Sequence, residues 1–432
     1  MVDATERLKG FDPPAVFSLC QDFLGGEDWT RATLQDFEYK VLNQGFGNRL
    51  FVCQVKTQDK TNYKKKKSND IPVRVLVRFY GGNVLPRKNP IRSLNETTEV
   101  LLFSLLGTKG LGPQIFGCFE GGRIEEYIPS RNLSVQEFVS NTLINDSIAR
   151  CIARYHCLDS VPVKKIPWDI SLILRAALDS YSQMKQEIVE KIVPPEFYKT
   201  SPNFFDFDLI NEITWIEAVL PLIRGRVTFT HNDLNRSNIL VRDEIVVADE
   251  NGNYNHNHED KIENEIDKSL NERLVLIDYE FSGYNYRGID LGNHFCMKVF
   301  DFGSSNFITR YSYPCQEFRR RFITTYLNEV KKCNEESEKT LYPDWDDLGM
   351  DSIDHVLMEA EFGSLVRRLT NVSGILSALD NWLKICHSRS VIDPVFKNGL
   401  IFKLLVDFYH ERKAAFLESW PQFAKLSCHE LP

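Results

Sequence analysis

The sequence predicts an α+β chain of two lobes. Short strands with alternating apolar residues crowd the first 130 positions, long stretches of helical periodicity fill the remainder, and a polar loop, "THNDLNRSN", lies between apolar segments of the second half. With 432 residues and 43% hydrophobic content, the chain can bury a large core. We place the lobe boundary so that residues 1–128 form the smaller lobe and residues 129–432 the larger.

The elements of the smaller lobe follow in order. Residues 14–24, "PAVFSLCQDFL", read as a helix. "FEYKVL", "NQGFGN" and "RLFVCQV" then read as strand, turn and strand, because alternation marks the strands and two Gly mark the turn. A polar loop, 56–70, carries the basic run "YKKKK" at 63–67, a solvated surface segment, and leads to the strand "VRVLVRFYG". Residues 94–108 have a Ser or Asn cap, acids in the first turns and a Lys-Gly stop, the signs of a helix. Two strands, "QIFGCF" and "GRIEEYI", complete the lobe before "PSRNL" breaks the pattern at 129–133.

The larger lobe reads as helices over 134–157, 168–192, 205–223, 316–333, 352–386 and 394–426, interrupted only by the strands "NILV", "EIVVA" and "RLVLIDY". Between the last two strands, residues 249–272 are rich in Asn and acids and poor in large apolar residues, so we read a mobile hairpin loop and not a metal site.

Composition excludes several function classes. A formal charge of -8 and a pI near 5.7 do not suit a dedicated nucleic-acid binder. The ten Cys form no C-x-x-C pair, the first residues lack the pattern of a signal peptide, and no apolar run approaches the roughly 20 residues that span a bilayer. These features predict a soluble, reduced, cytoplasmic protein.

The polar loop carries chemistry. Asp233 and Asn238 lie five apart on a loop entering the strand "ILV", and Asp278 ends the strand "RLVLID" forty residues after Asn238. If those strands pair as a hairpin, two hard oxygen ligands converge beside a second carboxylate. Phosphoryl transfer with a nucleotide and Mg²⁺ needs such a set, because the metal neutralises phosphate charge while the free Asp accepts the proton of the attacking hydroxyl. Upstream, Gly45 and Gly47 in "QGFGNRL" would let a hairpin backbone approach phosphate oxygens. Arg78 projects from the third strand, where it could hold phosphates and pair with Glu99 on the helix. The order of these parts is that of a protein-kinase-like fold. Arg replaces the usual Lys, and no A-P-E segment is visible, so the acceptor is expected to be a small molecule and not a protein.

Several motifs together resemble the choline/ethanolamine kinase family: "VRVLVRFYG", "LGPQIFG", "RIEEYIPSRNL", "THNDLNRSNIL" and "LIDYEFSGYNYRGIDLGNHFC". The resemblance covers about residues 15–302, and the "GNHFC" ending is more like the choline branch. It implies transfer of the ATP γ-phosphate to choline or ethanolamine for phospholipid synthesis, with ATP and Mg²⁺ as cofactors. By that pattern Asp233 is the base, Asn238 and Asp278 ligate the metal, and Arg78 with Glu99 clamps phosphate. Gly45, Phe46, Gly47, Asn48, Arg49 and Leu50 would form the phosphate turn, backbone groups of Glu126 and Ile128 would meet adenine, and Asn235 would lie near the nucleotide. Tyr284, Asn285, Tyr286, Asp290, Asn293 and His294 would order the substrate lobe, with His294 packed and hydrogen-bonded and not a base. Family members often form dimers through the smaller lobe, so the resemblance also allows a homodimer here.

The departures concern the acceptor. Met297 and Lys298 stand where choline kinases carry Glu-Trp, Phe302 stands where they carry a Tyr, and Thr370 and Ser373 stand where the register expects two Trp. Met297, Phe302 and Trp382 are the residues left to contact a quaternary ammonium, and loss of two rings would weaken choline by about one to three decades. Other amino alcohols, or a catalytically silent relative that binds nucleotide, are the alternatives.

Overall fold

A computed structural model describes residues 12–42, 48–56, 71–80, 96–159, 161–175, 178, 207–243, 273–301, 309–337, 349–385, 392–424 and 426; the side chains at 48, 96, 373–385, 392–400 and 402 are not described. The loops at 43–47 and 249–272, and Phe302, lie outside these residues. The chain divides into two compact units. The first takes the described residues up to Asn132 with Leu240–Asp243 and Arg273–Glu280, and the second takes the remainder.

In the first unit, β1 (Phe37–Leu42), β2 (Asn48–Val55), β3 (Arg74–Tyr80), β4 (Ile115–Phe119) and β5 (Gly122–Glu126) form an antiparallel sheet in the order β1-β2-β3-β5-β4. Alternation along β3 sends Val75 and Val77 into a core with Phe51, Cys53 and Ile124. Helix α1 (Pro13–Leu24) covers this core with Val16, Phe17, Cys20 and Leu24, and stops at Gly25, whose φ of 62° is left-handed. After α2 (Glu27–Arg31), helix α3 (Glu96–Thr108) buries Leu102, Phe103 and Leu106. A second sheet of this unit joins β6 (Ser130–Asn132), β8 (Ile239–Arg242) and β9 (Leu274–Leu276), with β8 central. Thus "NILV" and "RLVLIDY", placed by their sequence position in the larger lobe, contribute their strand residues almost entirely to the first unit. The "PSRNL" segment, read as a break, supplies β6.

The second unit is mainly helical. The expected helix over 134–157 is two, α4 (Val135–Ser140) and α5 (Thr142–His156), because the Asn141 side chain accepts from the Ile144 N–H at 3.0 Å and caps a new start. Helices α6 (Ile170–Arg175), α7 (Leu209–Ile223), α8 (Arg287–Met297), α9 (Gln316–Glu336), α10 (Ile353–Ile385) and α11 (Ile392–Ser419) follow. Leu209, Ile213, Ile216, Phe362, Leu365, Leu369, Phe408 and Tyr409 are buried in one core. A two-stranded sheet that the sequence did not announce pairs β7 (Val227–Thr230) with β10 (Gly283–Tyr286), antiparallel, and frames the polar loop. Its strands, "VTFT" and "GYNY", are four residues each, too short for alternation to reveal.

The glycines of "RGIDLGNHF" have a packing role. A Cβ on Gly292 would stand 2.3 Å from Ala360 O and Ser364 N, and one on Gly288 would stand 2.3 Å from Glu359 O, all backbone of α10. Helices α8 and α10 therefore touch backbone to backbone. Beside this contact, the buried Arg287 guanidinium lies against Asp351 (2.5 Å) and Glu359 (2.7 Å), and the Arg226 Nε donates to Asp351 at 3.2 Å. The Asp351 carboxyl is itself burdened by burial, but these two arginines hold it below the usual carboxylate range.

Candidate active site

The polar loop leaves β7 at Thr230 and cannot extend the sheet, so its backbone needs other partners. Asp290, fully buried on the first turn of α8, supplies them. One carboxylate oxygen accepts the His231 N–H at 2.7 Å, and the other accepts the Asn232 N–H at 2.8 Å. His156 Nε2 lies 3.2 Å from the first of these oxygens; it must carry the hydrogen, since an ionised carboxylate only accepts. Burial alone would raise the Asp290 pKa, but the bonds and charge of His156 and the His231 N–H outweigh it and hold the carboxyl below its ordinary value.

Asn232 sits at φ 63°, a left-handed conformation that Asn tolerates. Its amide fixes the strain: Nδ2 donates to Phe281 O at 3.0 Å, and Oδ1 accepts from Asn285 at 2.8 Å and from the Thr230 hydroxyl at 3.1 Å. The next side chain, Asp233, is thereby turned out of the core and keeps 23% of its surface. Its N–H donates to His231 Nδ1 at 3.3 Å. Asp233 Oδ2 accepts from Asn235 Nδ2 and Asn238 Nδ2, each at 3.1 Å, and Oδ1 accepts from Arg367 Nη2 of α10 at 2.8 Å. A carboxylate has about four acceptor sites, so capacity for a further donor remains.

Asn235 caps the short turn Arg236–Asn238, its Oδ1 accepting the N–H groups of Ser237 (2.9 Å) and Asn238 (3.2 Å). Asn238, buried, sends Nδ2 to both the carbonyl and the side chain of Asp233, at 2.9 and 3.1 Å. That orientation leaves Oδ1, the hard donor a divalent cation prefers, on the side away from Asp233. Asp278 belongs to the first unit, where it follows β9 at φ 68°.

In the first unit, Arg78 and Glu99, expected to pair, belong to one chain of charges that runs through Glu125 and Arg123. Arg78 Nη2 meets Glu125 at 3.1 Å, Arg123 Nε meets Glu125 at 2.6 Å, and Arg123 Nη1 meets Glu99 at 2.8 Å. Burial works against the charge of Glu125, but the two guanidiniums hold its pKa down; burial also works against Arg123, but Glu125 and Glu99 hold its pKa up. Arg123 and Glu125 were visible as opposite charges two apart in the strand "RIEE", which puts both on one face. The Glu126 carboxylate accepts from Arg242 at 3.0 Å and from the Gln114 N–H at 3.2 Å, while its own N–H donates to Gln114 O. Ile128 is buried and its carbonyl accepts the Ser130 hydroxyl at 2.9 Å. Arg49 and Leu50 lie in β2 opposite Phe79 and Arg78.

Around the acceptor positions, Met297 ends α8 half-buried. The Thr370 hydroxyl is spent on Arg367 O at 2.8 Å. His294 is buried, bonded to Asn145 Oδ1 at 3.1 Å and stacked on Phe322 at 4.7 Å; burial, then the nearby Lys298, push its pKa far down. Lys298 is also buried, with Nζ donating to Asn145 Oδ1 at 2.5 Å and to Phe138 O, and burial pushes its pKa well below that of an ordinary lysine.

The choline/ethanolamine kinase family model matches residues 39–387. The chain belongs to this family. A rat protein called choline/ethanolamine kinase is 29% identical over 75% of this chain and 72% of its own length. Choline kinase A2 of Caenorhabditis elegans is 30% identical, covering 78% and 75%, and a probable ethanolamine kinase of Arabidopsis thaliana is 28% identical, covering 74% and 70%. Among solved structures, a choline kinase from Cryptosporidium parvum superposes with a TM-score of 0.61 at 18% identity over 94% of this chain and 97% of that one. A Plasmodium vivax ethanolamine kinase gives 0.55 at 17% identity over 95% of each chain. The fold is thus the two-lobed α+β kinase-like architecture the sequence predicts, and the family chemistry is phosphorylation of choline or ethanolamine. Among the described residues, no helix is long and apolar enough to cross a membrane.

Proposed function

We propose that this family member transfers the γ-phosphate of ATP to the hydroxyl of a small amino alcohol, choline or ethanolamine, with Asp233 as the base. The observation that carries the reading is the fixed Asp233 carboxylate: two Asn amides hold one oxygen, Arg367 holds the other, and the loop beneath is pinned by Asp290. The acceptor hydroxyl donates to Asp233. As its oxygen bonds to the γ-phosphorus and the bond from that phosphorus to the β-bridging oxygen breaks, the proton passes to the carboxylate.

Asn238 Oδ1 and the Asp278 carboxylate are hard oxygen donors and suit Mg²⁺, which when bound neutralises phosphate charge. Arg78 lies in β3 with Glu125 aligning its guanidinium and is assigned to the nucleotide phosphates, as is the turn at 45–50. Backbone groups of Glu126 and Ile128 are assigned to adenine, and Asn235 to the nucleotide side of the loop.

The test is ATP consumption by the purified protein with Mg²⁺, offered choline and ethanolamine in parallel, beside Asp233→Asn. We expect turnover of at least one amine, and a loss of about a hundredfold or more in Asp233→Asn with nucleotide binding retained. Transfer that survives the substitution would remove Asp233 as base. Silence with both amines despite ATP binding would favour a catalytically silent relative.

A further inference from the structure

Asp233 is met by a fixed positive charge that belongs to the protein itself. Arg367 Nη2 lies 2.8 Å from Asp233 Oδ1, and its Nε donates to Asn293 Oδ1 at 3.1 Å. Asn293 is buried and donates in turn to Leu234 O, in the same loop, at 3.2 Å. The guanidinium is therefore held at two nitrogens, and its orientation is set by the same loop that presents the base. The next residue, Arg368, points elsewhere, its guanidinium 5.0 Å from the Phe408 ring and 5.6 Å from that of Phe300. Of the positions where rings would have surrounded a cation, the described ones, Lys298 and Thr370, carry none.

We infer that Arg367 is a specificity-determining residue that sets this site against acceptors with a full positive charge close to the hydroxyl, above all a quaternary ammonium. The inference rests on Asp233 being the base of an amino-alcohol kinase. In such an acceptor the nitrogen stands two carbons from the hydroxyl, about 3–4 Å from its oxygen at ordinary bond lengths of about 1.5 Å. A hydroxyl donating to Asp233 consequently brings the ammonium to within about 5–7 Å of the guanidinium. Two unit charges at that distance and an effective dielectric of about 20 repel by the equivalent of about two decades of affinity. Arg367 keeps 20% of its side-chain surface, so solvent screening reduces the effect to about one decade. A trimethylammonium cannot escape by giving up a proton, and it finds no described ring at these two positions to offset the repulsion.

The test compares choline with its uncharged carbon isostere, in which a tert-butyl group replaces the trimethylammonium, on the wild-type protein, Arg367→Gln, Arg367→Met and Arg367→Lys. Two readouts are taken: KM and kcat for transfer, and calorimetric binding in the presence of a non-hydrolysable ATP analogue. Any change in the base itself alters kcat for both acceptors alike. The inferred role instead predicts that the neutral variants strengthen choline about tenfold relative to the isostere, in KM and in binding, while Arg367→Lys keeps the wild-type ratio. Two neutral variants guard against one failing to fold. A choline-to-isostere ratio that stays within twofold in a folded neutral variant would overturn the inference. Binding reads Arg367 even where transfer is silent, so absence of turnover counts against the proposed reaction, and an unmoved binding ratio counts against Arg367.

Discussion

Replacing Asp290 by Asn keeps its shape and removes its charge. The carboxylate accepts three donors, the N–H groups of His231 and Asn232 at 2.7 and 2.8 Å and His156 Nε2 at 3.2 Å. An amide has one oxygen, so the N–H facing its NH₂ is left buried without an acceptor. That costs about 1–3 kcal/mol, and loss of the charge from the bonds that survive adds about 1 kcal/mol or more. A penalty near 3 kcal/mol spread over a unit of this size lowers Tm by about 6–12 °C. The assay is thermal unfolding by intrinsic fluorescence, with kcat for the best acceptor measured well below the new Tm. Because the loop that presents Asp233 hangs on Asp290, kcat should fall with Tm, whereas Asp233→Asn, whose donors Asn235, Asn238 and Arg367 are only part-buried and can turn to water, should lose kcat with a smaller fall in Tm than Asp290→Asn. Since the Asp290 pKa is depressed, its stabilisation is fully present above about pH 4, the unfolded value, and is lost as pH falls through the lower folded value. The wild-type advantage in Tm over Asp290→Asn should accordingly shrink on acidification. A folded Asp290→Asn with unchanged Tm at neutral pH would refute the argument that the loop is held through this carboxylate.

Further expectations concern packing and buried charge. Gly292→Ala places a methyl 2.3 Å from two backbone atoms of α10 that no rotamer can move, so the helices must separate, at about 3 kcal/mol or more; soluble yield and Tm should drop sharply, and an unchanged melt would show that α8 and α10 are not in backbone contact. Lys298 should make stability rise with pH. Its folded pKa is depressed by burial, so between that value and about 10.4 the unfolded chain binds the extra proton, and the folded state gains up to about 1.4 kcal/mol per pH unit. Across pH 7–9, above the ordinary imidazole range, the Tm of wild type should climb relative to Lys298→Met; parallel curves would mean that Lys298 is charged in the fold.

What the sequence disclosed and what it hid divide along the range of the interactions. Strands β1–β5 and helices α1, α3, α9 and α10 follow from alternation and helical period, which are properties of neighbouring residues. The α4/α5 break was concealed because apolar spacing continues across it while a single Asn side chain ends one helix and starts the next. Asp233, Asn235 and Asn238 stand together in nine residues and could be read at once as a chemical cluster. Arg367 is 134 residues from Asp233, on a helix whose local pattern announces only amphipathicity, so no rule of spacing could have paired them. Glu125 lies between these cases: it was legible as a strand charge and its partners, Arg78 and Arg123, became definite only through the register of β3 and β5.

The density of polar residues in "THNDLNRSN" has a physical cause beyond chemistry. A base that must face solvent from the edge of a hydrophobic core requires the chain to leave β7 abruptly, and an abrupt exit strands backbone N–H groups that water cannot reach. Asp290 accepts two of them and Asn232 takes up the left-handed turn, while Asn235 caps the turn that follows through the N–H groups of Ser237 and Asn238. Asp290 reaches the loop from the first turn of α8, and α8 lies directly on α10, which the glycines at 288 and 292 permit. The same close approach allows Arg367, projecting from α10, to reach Asp233 and Asn293. The proposed base, held through Asp290 of α8, and the charge inferred to oppose a cationic acceptor, carried by α10, thus meet at one helix contact. If so, loosening that contact should relax acceptor preference and weaken catalysis together, whereas neutralising Arg367 should separate them.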